Sequence, residues 1–229
     1  KPGIKYFRAN STGEDAAAAG EDAVAIGVSA KANGKDSVAL GVNAGTSSGT
    51  TGAIAVGNTA KASQDGAVAI GQKSGANGKR STVVGDSAQA VGDQALALGA
   101  DASASGTNGT ALGTSASTAG SSATAVGNHA SAAGGSAAAI GDSASASGGD
   151  SVALGASSQA SGTNDISLGA SAGVGTQSGS TSKIQQNRIS IGANAGQNGS
   201  GYANNPIELN AGDNVPGNFH VTMGRTHEG

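Results

Sequence analysis

Three His, fifteen Asp and Glu, and no Cys are the groups from which this 229-residue chain could assemble an active site or a metal centre. Catalysis would need an acid, a base or a nucleophile converging on one point, and zinc would need His and Cys at ligand spacing. His129 stands in a turn slot that elsewhere holds Ser29, Thr59, Lys73 or Asp101, which reads as solvent-facing and without a constant partner. His220 and His227 are seven residues apart, with no paired carboxylate beside them at metal-ligand spacing. Glu14-Asp15 and Glu21-Asp22 fall on neighbouring segments and read as a solvated face rather than a site. Glycine is everywhere, yet no helix follows any of it, so the strand-to-helix turn that cradles phosphate is missing. The chemistry therefore points to no enzyme and to no metal or other cofactor.

What organises these residues is a repeat. A small residue, an often β-branched residue, Ala, an aliphatic residue and Gly recur as Ala23-Val24-Ala25-Ile26-Gly27, Ser37-Val38-Ala39-Leu40-Gly41, Ala53-Ile54-Ala55-Val56-Gly57 and Ala67-Val68-Ala69-Ile70-Gly71. The pattern continues through Leu96 and Leu98, Val152 and Leu154, and Ile166 and Leu168 to Ile189 and Ile191. Its closing glycines are Gly27, Gly41, Gly57, Gly71, Gly85, Gly99, Gly113, Gly127, Gly141, Gly155, Gly169 and Gly192. Nine of the eleven intervals are 14 residues, one is 16 and one is 23, a phase that linker composition would not hold. Between these motifs lies a weaker one, Ala-x-Ala-x-Gly, as in Ala30-Lys31-Ala32-Asn33-Gly34 and Ala144-Ser145-Ala146-Ser147-Gly148.

Both motifs alternate with period two and are bounded by Gly, Asn, Asp and Ser, so each unit reads as strand, turn, strand, turn. Units this short stack most simply as coils of a parallel solenoid, each adding roughly 4.8 Å, so that eleven intervals give a rod on the order of 50 Å. The two extra residues between Gly41 and Gly57 should bulge a turn, and the insertion at about residues 173–184 should form a surface loop. Pro2, Pro206 and Pro216 all lie outside the regular repeat, as do Tyr6, Phe7, Tyr202 and Phe219, which read as end caps. His220-Val221-Thr222-Met223-Gly224 fits the strong motif again, so residues 193–229 are expected to hold a modified coil with an excursion, followed by a cap or connector, after a repeat region over 1–192.

Composition says what the interior can be. With 41 Gly, two Tyr, two Phe and no Trp, the volume that large side chains usually fill is left to Ala, Ser and Thr, and the core must be thin. In the strong strand Val24 and Ile26 point one way and Ala23, Ala25 and Gly27 the other, so both faces are apolar. A strand buried on both faces lies between two layers, and one coil supplies only one of them. Identical copies around an axis along the rod would close the seam, with either face toward the axis.

Charge is unevenly placed. Residues 1–80 carry nine Lys and Arg against six Asp and Glu, whereas 81–182 carry six Asp and no Lys or Arg. The basic end, with Lys31, Lys35, Lys61, Lys73, Lys79 and Arg80, lacks interleaved aromatics, which argues against nucleic acid and leaves contact with an acidic glycan open. No stretch is long and apolar enough to span a bilayer, and Lys1-Pro2-Gly3-Ile4 is no signal peptide.

The strong motif at 14-residue spacing, with its Ala-x-Ala-x-Gly partner, resembles the YadA-like head of trimeric autotransporter adhesins over about residues 10–192, and Lys5-Tyr6-Phe7-Arg8-Ala9-Asn10-Ser11 resembles the lead-in to such heads. The resemblance implies an all-β, left-handed parallel β-roll assembled as a homotrimer, displayed from a Gram-negative outer membrane and attached to host matrix proteins or cells. The neck, stalk and membrane anchor of that family are not found in this sequence, so no membrane contact is expected of it. Ser81-Thr82-Val83-Val84-Gly85 departs by carrying Val for the central Ala. An adhesive head is thus the expected function, with an inert spacer presenting another domain as the alternative; a Thr-array ice binder fits poorly, because the outward positions vary among Lys, Asn, Ser, Gln, Thr, Ala and Val.

Overall fold

The structure is a computed structural model and describes residues 12–174, 187–197, 205–208, 210–211 and 221–223. Every coil takes one path. A three-residue strand such as Val24–Ile26 ends at a glycine, a turn leads into a two-residue strand such as Lys31–Ala32, and a second turn returns the chain to the next long strand, Val38–Leu40. Long strands pair only with long and short only with short, one coil up and one coil down, always parallel. Val24 lies beside Val38 and Lys31 beside Gly45. Among the described residues this gives an eleven-stranded sheet of short strands and a fourteen-stranded sheet of longer ones, each in sequence order. The protein is a parallel β-solenoid.

The turns explain the small polar residues between strands. Two positions per coil are left-handed: the second residue after the closing glycine, as at Ser29 (φ 55°) and His129 (φ 54°), and a residue in the opposite turn, as at Asp36 (φ 52°) and Gln94 (φ 58°). Asn, Asp and Gly bear that conformation most readily. The closing glycine needs its own identity for two reasons. Gly127 has φ 134°, and a Cβ there would lie 2.7 Å from the carbonyl carbon of Gly141 in the next coil. Successive coils touch backbone to backbone at this corner, so any side chain would separate them.

The interior is built from methyl groups. Four positions per coil point inward, and every buried hydrophobic residue among those described is Ala apart from Val83. Val83 is fully buried in the column of central Ala residues, between Ala69 and Ala97. Where Ser enters the core, its hydroxyl folds back onto a main-chain carbonyl: Ser37, Ser81 and Ser151 donate to Gly34, Gly78 and Gly148 at 2.7 Å. This satisfies a group that would otherwise be buried unpaired.

Two interruptions leave the ladders intact. The two extra residues widen the turn at 47–52, where Gly49 and Gly52 take positive φ and Lys35 and Thr51 form an isolated bridge, while Val38 still pairs with Ile54. At the long insertion Ile166 pairs with Ile189, 23 residues on, as if nothing intervened. The surface loop expected at about 173–184 falls, beyond Val174, outside the described residues, as do Lys5–Ser11, Tyr6, Phe7, Tyr202, Phe219, Pro2, Pro216, His220 and His227.

One expectation needs correction. The excursion placed between Gly192 and Val221 contains a strand of the long sheet, Asn205–Ile207, which pairs Ile191 with Ile207 and then Ile207 with Met223. The 32 residues from Ile191 to Met223 are two steps of 16 rather than one modified coil. Asn205-Pro206-Ile207-Glu208 hid this strand by lacking both the central Ala and the closing Gly. Glu208 occupies the glycine corner at φ 99°, and Asn210 follows in the left-handed slot at φ 55°. Pro206 therefore lies inside a strand. It has no N–H to donate, and the ladder before it narrows to the single pair Ile191–Ile207.

Candidate functional site

The residues that could do chemistry are scattered by the solenoid rather than gathered. His129 sits exposed in its left-handed turn slot. Glu14 accepts a hydrogen bond from Ser29 at 2.9 Å, and Glu21 pairs with Lys35 at 3.0 Å, both exposed. No group of three or more His, Cys, Asp or Glu among the described residues could hold a metal ion. No helix among them is long and apolar enough to cross a membrane.

What the fold does concentrate is faces. Because strands stack in register, each position of the repeat becomes a column along the rod. The outward column that begins at Ile26 runs through Leu40, Val56, Ile70, Val84, Leu98, Leu112, Val126, Ile140, Leu154 and Leu168 to Ile191 and is aliphatic at every step. Its neighbour starts at Val24 and runs through Val38, Ile54 and Val68, is polar or small at Thr82, Thr110, Thr124 and Ala138 with Leu96 between the first two, and is aliphatic again at Val152, Ile166 and Ile189. These side chains stay partly open to solvent: Val24 is 47% exposed, Ile26 39%, Leu40 41% and Leu98 38%. Sequence reasoning left open which side of the long strand closes the coil. The Ala side does, and the Val, Ile and Leu side faces outward.

The match to known families falls on these coils. The family described as YadA head domain repeat (2 copies) matches residues 18–44, 51–74, 76–102, 104–130, 132–158 and 146–172. The chain belongs to the YadA head family. Heads of this family are non-enzymatic structural domains of surface adhesins, in keeping with a solenoid whose polar side chains are spread along columns. No curated protein matches the chain.

The YadA head has a second face, over the short strands, and it is polar. There the structure separates charges that the sequence placed together at one basic end. Lys35, Lys79 and Arg80 occupy the turn that also holds Glu21, Asp65 and Asp93; Lys35 is salt-bridged to Glu21 and the Lys79 amide donates to Asp93 at 2.9 Å. Lys31 and Lys61 lie instead on the short strands, two coils apart, with Gly45 between them in register. The clue in the sequence was the replacement of x in Ala-x-Ala by Gly at 45 and 75, which marks a place where a column loses its side chain.

Sequence reasoning also missed two buried polar contacts. Thr46 Oγ1 donates to Ser37 Oγ at 2.9 Å and accepts from the Asn33 amide at 3.0 Å. Asp165 and Arg188 form a buried ion pair in the inward column that otherwise carries Ser, Ala or, at Gly109, no side chain. Both replace a residue type that the motif made look interchangeable.

Proposed function

We propose that this chain is the head of a trimeric, surface-displayed autotransporter adhesin, a left-handed β-roll whose repeat region over residues 1–192 attaches a Gram-negative cell to host matrix proteins or cell surfaces, with 193–229 serving as terminal coils and connector. The three copies would meet along the rod axis through the outward aliphatic columns, the pairs Val24 and Ile26 to Ile189 and Ile191. What carries the reading is that the column begun by Ile26 remains about two-fifths exposed at most of its positions, and its neighbour mostly half-buried, while the coil interior is already filled by Ala. An aliphatic stripe running the length of the repeat exceeds the few hundred Å² that soluble monomers leave open. Covering the exposed part of each Leu or Ile is worth about 0.5–1 kcal/mol, since full burial is worth about 1.5–3 kcal/mol, and the gain recurs at nearly every coil.

In this arrangement the polar short-strand faces look outward in three copies, and attachment comes from many weak contacts multiplied by symmetry. The test has two parts. Light scattering of the purified head should give three times the chain mass, and the same material should bind members of a panel of immobilised matrix proteins. A monomeric mass removes the assembly; a folded trimer that binds nothing on a broad panel removes the adhesive role and leaves an inert spacer.

A further inference from the structure

The short-strand face changes character along the rod. At residues 28–33, 42–47, 58–63 and 72–77 it carries Lys31, Lys61 and Lys73 and no Asp or Glu. Among the described residues, none of these three lysines takes part in an ion pair, unlike Lys35. Gly45 lies in register between Lys31 and Lys61, which leaves the two stems about 9.6 Å apart with no side chain between them. A Cβ on Gly45 would meet nothing nearer than the Lys31 carbonyl oxygen at 4.0 Å. The result is a groove of about 460 Å³, floored by Gly45 and rimmed by Asn33, Asn43, Ser47 and Ser63. One coil on, Gly75 floors a second groove of about 360 Å³ between Lys61 and Lys73, over which Gln89 leans to donate to the Lys73 carbonyl at 3.2 Å. Lys61 borders both.

We propose that these two grooves are subsites for the sulfate or carboxylate groups of an acidic oligosaccharide, with Lys61 shared between them. The chemistry fits on three counts. Unpaired ammonium groups give charge-assisted hydrogen bonds to an anionic substituent. Amides and hydroxyls at the rim match the donors and acceptors of sugar hydroxyls. No aromatic ring lines either groove, so the base stacking on which single-stranded nucleic acid relies has no platform here. Extent matters as well. The lysine patch covers four coils, about 15 Å, and is followed by Asp86 and Asp101 in a chain of net charge −3, so a long duplex polyanion laid along the rod would meet repulsion.

This names a ligand class for the adhesive reading and rests on it only for why a displayed rod should carry such a groove. The probe is a heparin-derived hexasaccharide, titrated calorimetrically into the intact head, with its desulfated counterpart and a short DNA duplex alongside. The sulfated sugar should bind, and the desulfated sugar and the duplex should not. Lys61→Gln should weaken binding at least about tenfold, as the loss of two charge-assisted contacts. Gly45→Val keeps every charge but fills the groove, and should weaken binding comparably, whereas Lys35→Gln should leave it unchanged; melting curves show that each variant is folded. No binding of the sulfated sugar, equal binding by Gly45→Val, equal loss from Lys35→Gln, or tighter binding of the duplex would each overturn the proposal. Matrix binding that survives in a head without sugar binding would sink this inference alone, and sugar binding by a head that attaches to no matrix protein would sink the adhesive reading alone.

Discussion

Arg188 closes on Asp165 across the longest interruption of the repeat: its Nη2 donates to Asp165 Oδ2 at 2.6 Å, its Nε to the same oxygen at 3.1 Å and its own amide to Oδ1 at 2.9 Å. The Asp165 side chain is 1% exposed and that of Arg188 6%. Asp165 Oδ2 also accepts from the Gly162 amide at 2.8 Å, so one carboxylate joins the last regular coil to the one beyond the insertion.

Breaking this pair from one side should be far worse than removing it. Asp165→Asn or Arg188→Met leaves a buried charge without its partner and should cost about 3–5 kcal/mol, whereas the double change Asp165→Ala with Arg188→Met should recover most of that. Because a solenoid communicates mainly between neighbours, the damage should be local. Hydrogen exchange is the measurement. The Ile166 amide, which donates to the Arg188 carbonyl at 2.7 Å, should lose protection in the single variants while amides near Leu98 keep theirs.

Thr46 and Thr118 occupy the same inward column and should respond oppositely to one substitution. Thr46 is fully engaged with Ser37 and the Asn33 amide. Thr118 is fully buried, and its Oγ1 has no hydrogen-bond partner, because the position that would answer it is Gly109, where a Cβ would lie 2.7 Å from that oxygen. Thr118→Val should therefore stabilise the head by about 1 kcal/mol, and Thr46→Val should destabilise it by about 1–3 kcal/mol, read from denaturant unfolding.

These positions also mark how far the sequence could be read. The period, the two strands, the parallel stacking and the glycine corners follow from the 14-residue recurrence, since a motif such as Ser37-Val38-Ala39-Leu40-Gly41 sets strand, face and turn at once. The terminal coil at Asn205–Ile207 was hidden because Pro206 and Glu208 replace the two residues that announce the motif, while the aliphatic Ile207 that keeps its register is a weak signal alone. The grooves were hidden for another reason. Gly45 is one of 41 glycines, and only register shows that it falls between two lysines.

Left-handed residues at the second turn offer a stabilising change away from any face argued to bind. Gln94 is exposed at φ 58°, and its amide donates to the Lys79 carbonyl at 2.7 Å, a bond that any residue except Pro keeps. Asn tolerates this conformation better, so Gln94→Asn should add about 0.5–1 kcal/mol. The same exchange at Gln159, in the short strand Gln159–Ala160, should lower stability instead, because Asn is a poor strand residue. Thermal melting of the two variants side by side decides it.

Ala97 and Leu98 are adjacent in one strand and should fail in different ways. Ala97 is fully buried in the methyl-lined interior, and nothing there can move aside for three more carbons, so Ala97→Leu should disrupt the coil and cost about 3 kcal/mol or more. Leu98 points outward at 38% exposure, and the coil itself asks nothing of its bulk. Leu98→Lys, combined with Leu112→Lys one coil on, should leave the β-sheet circular dichroism in place while the mass falls toward that of one chain. If the doubly charged variant kept the mass of the unchanged head, the outward columns would not be the surface that joins the copies, and another face of the coil would have to supply that contact.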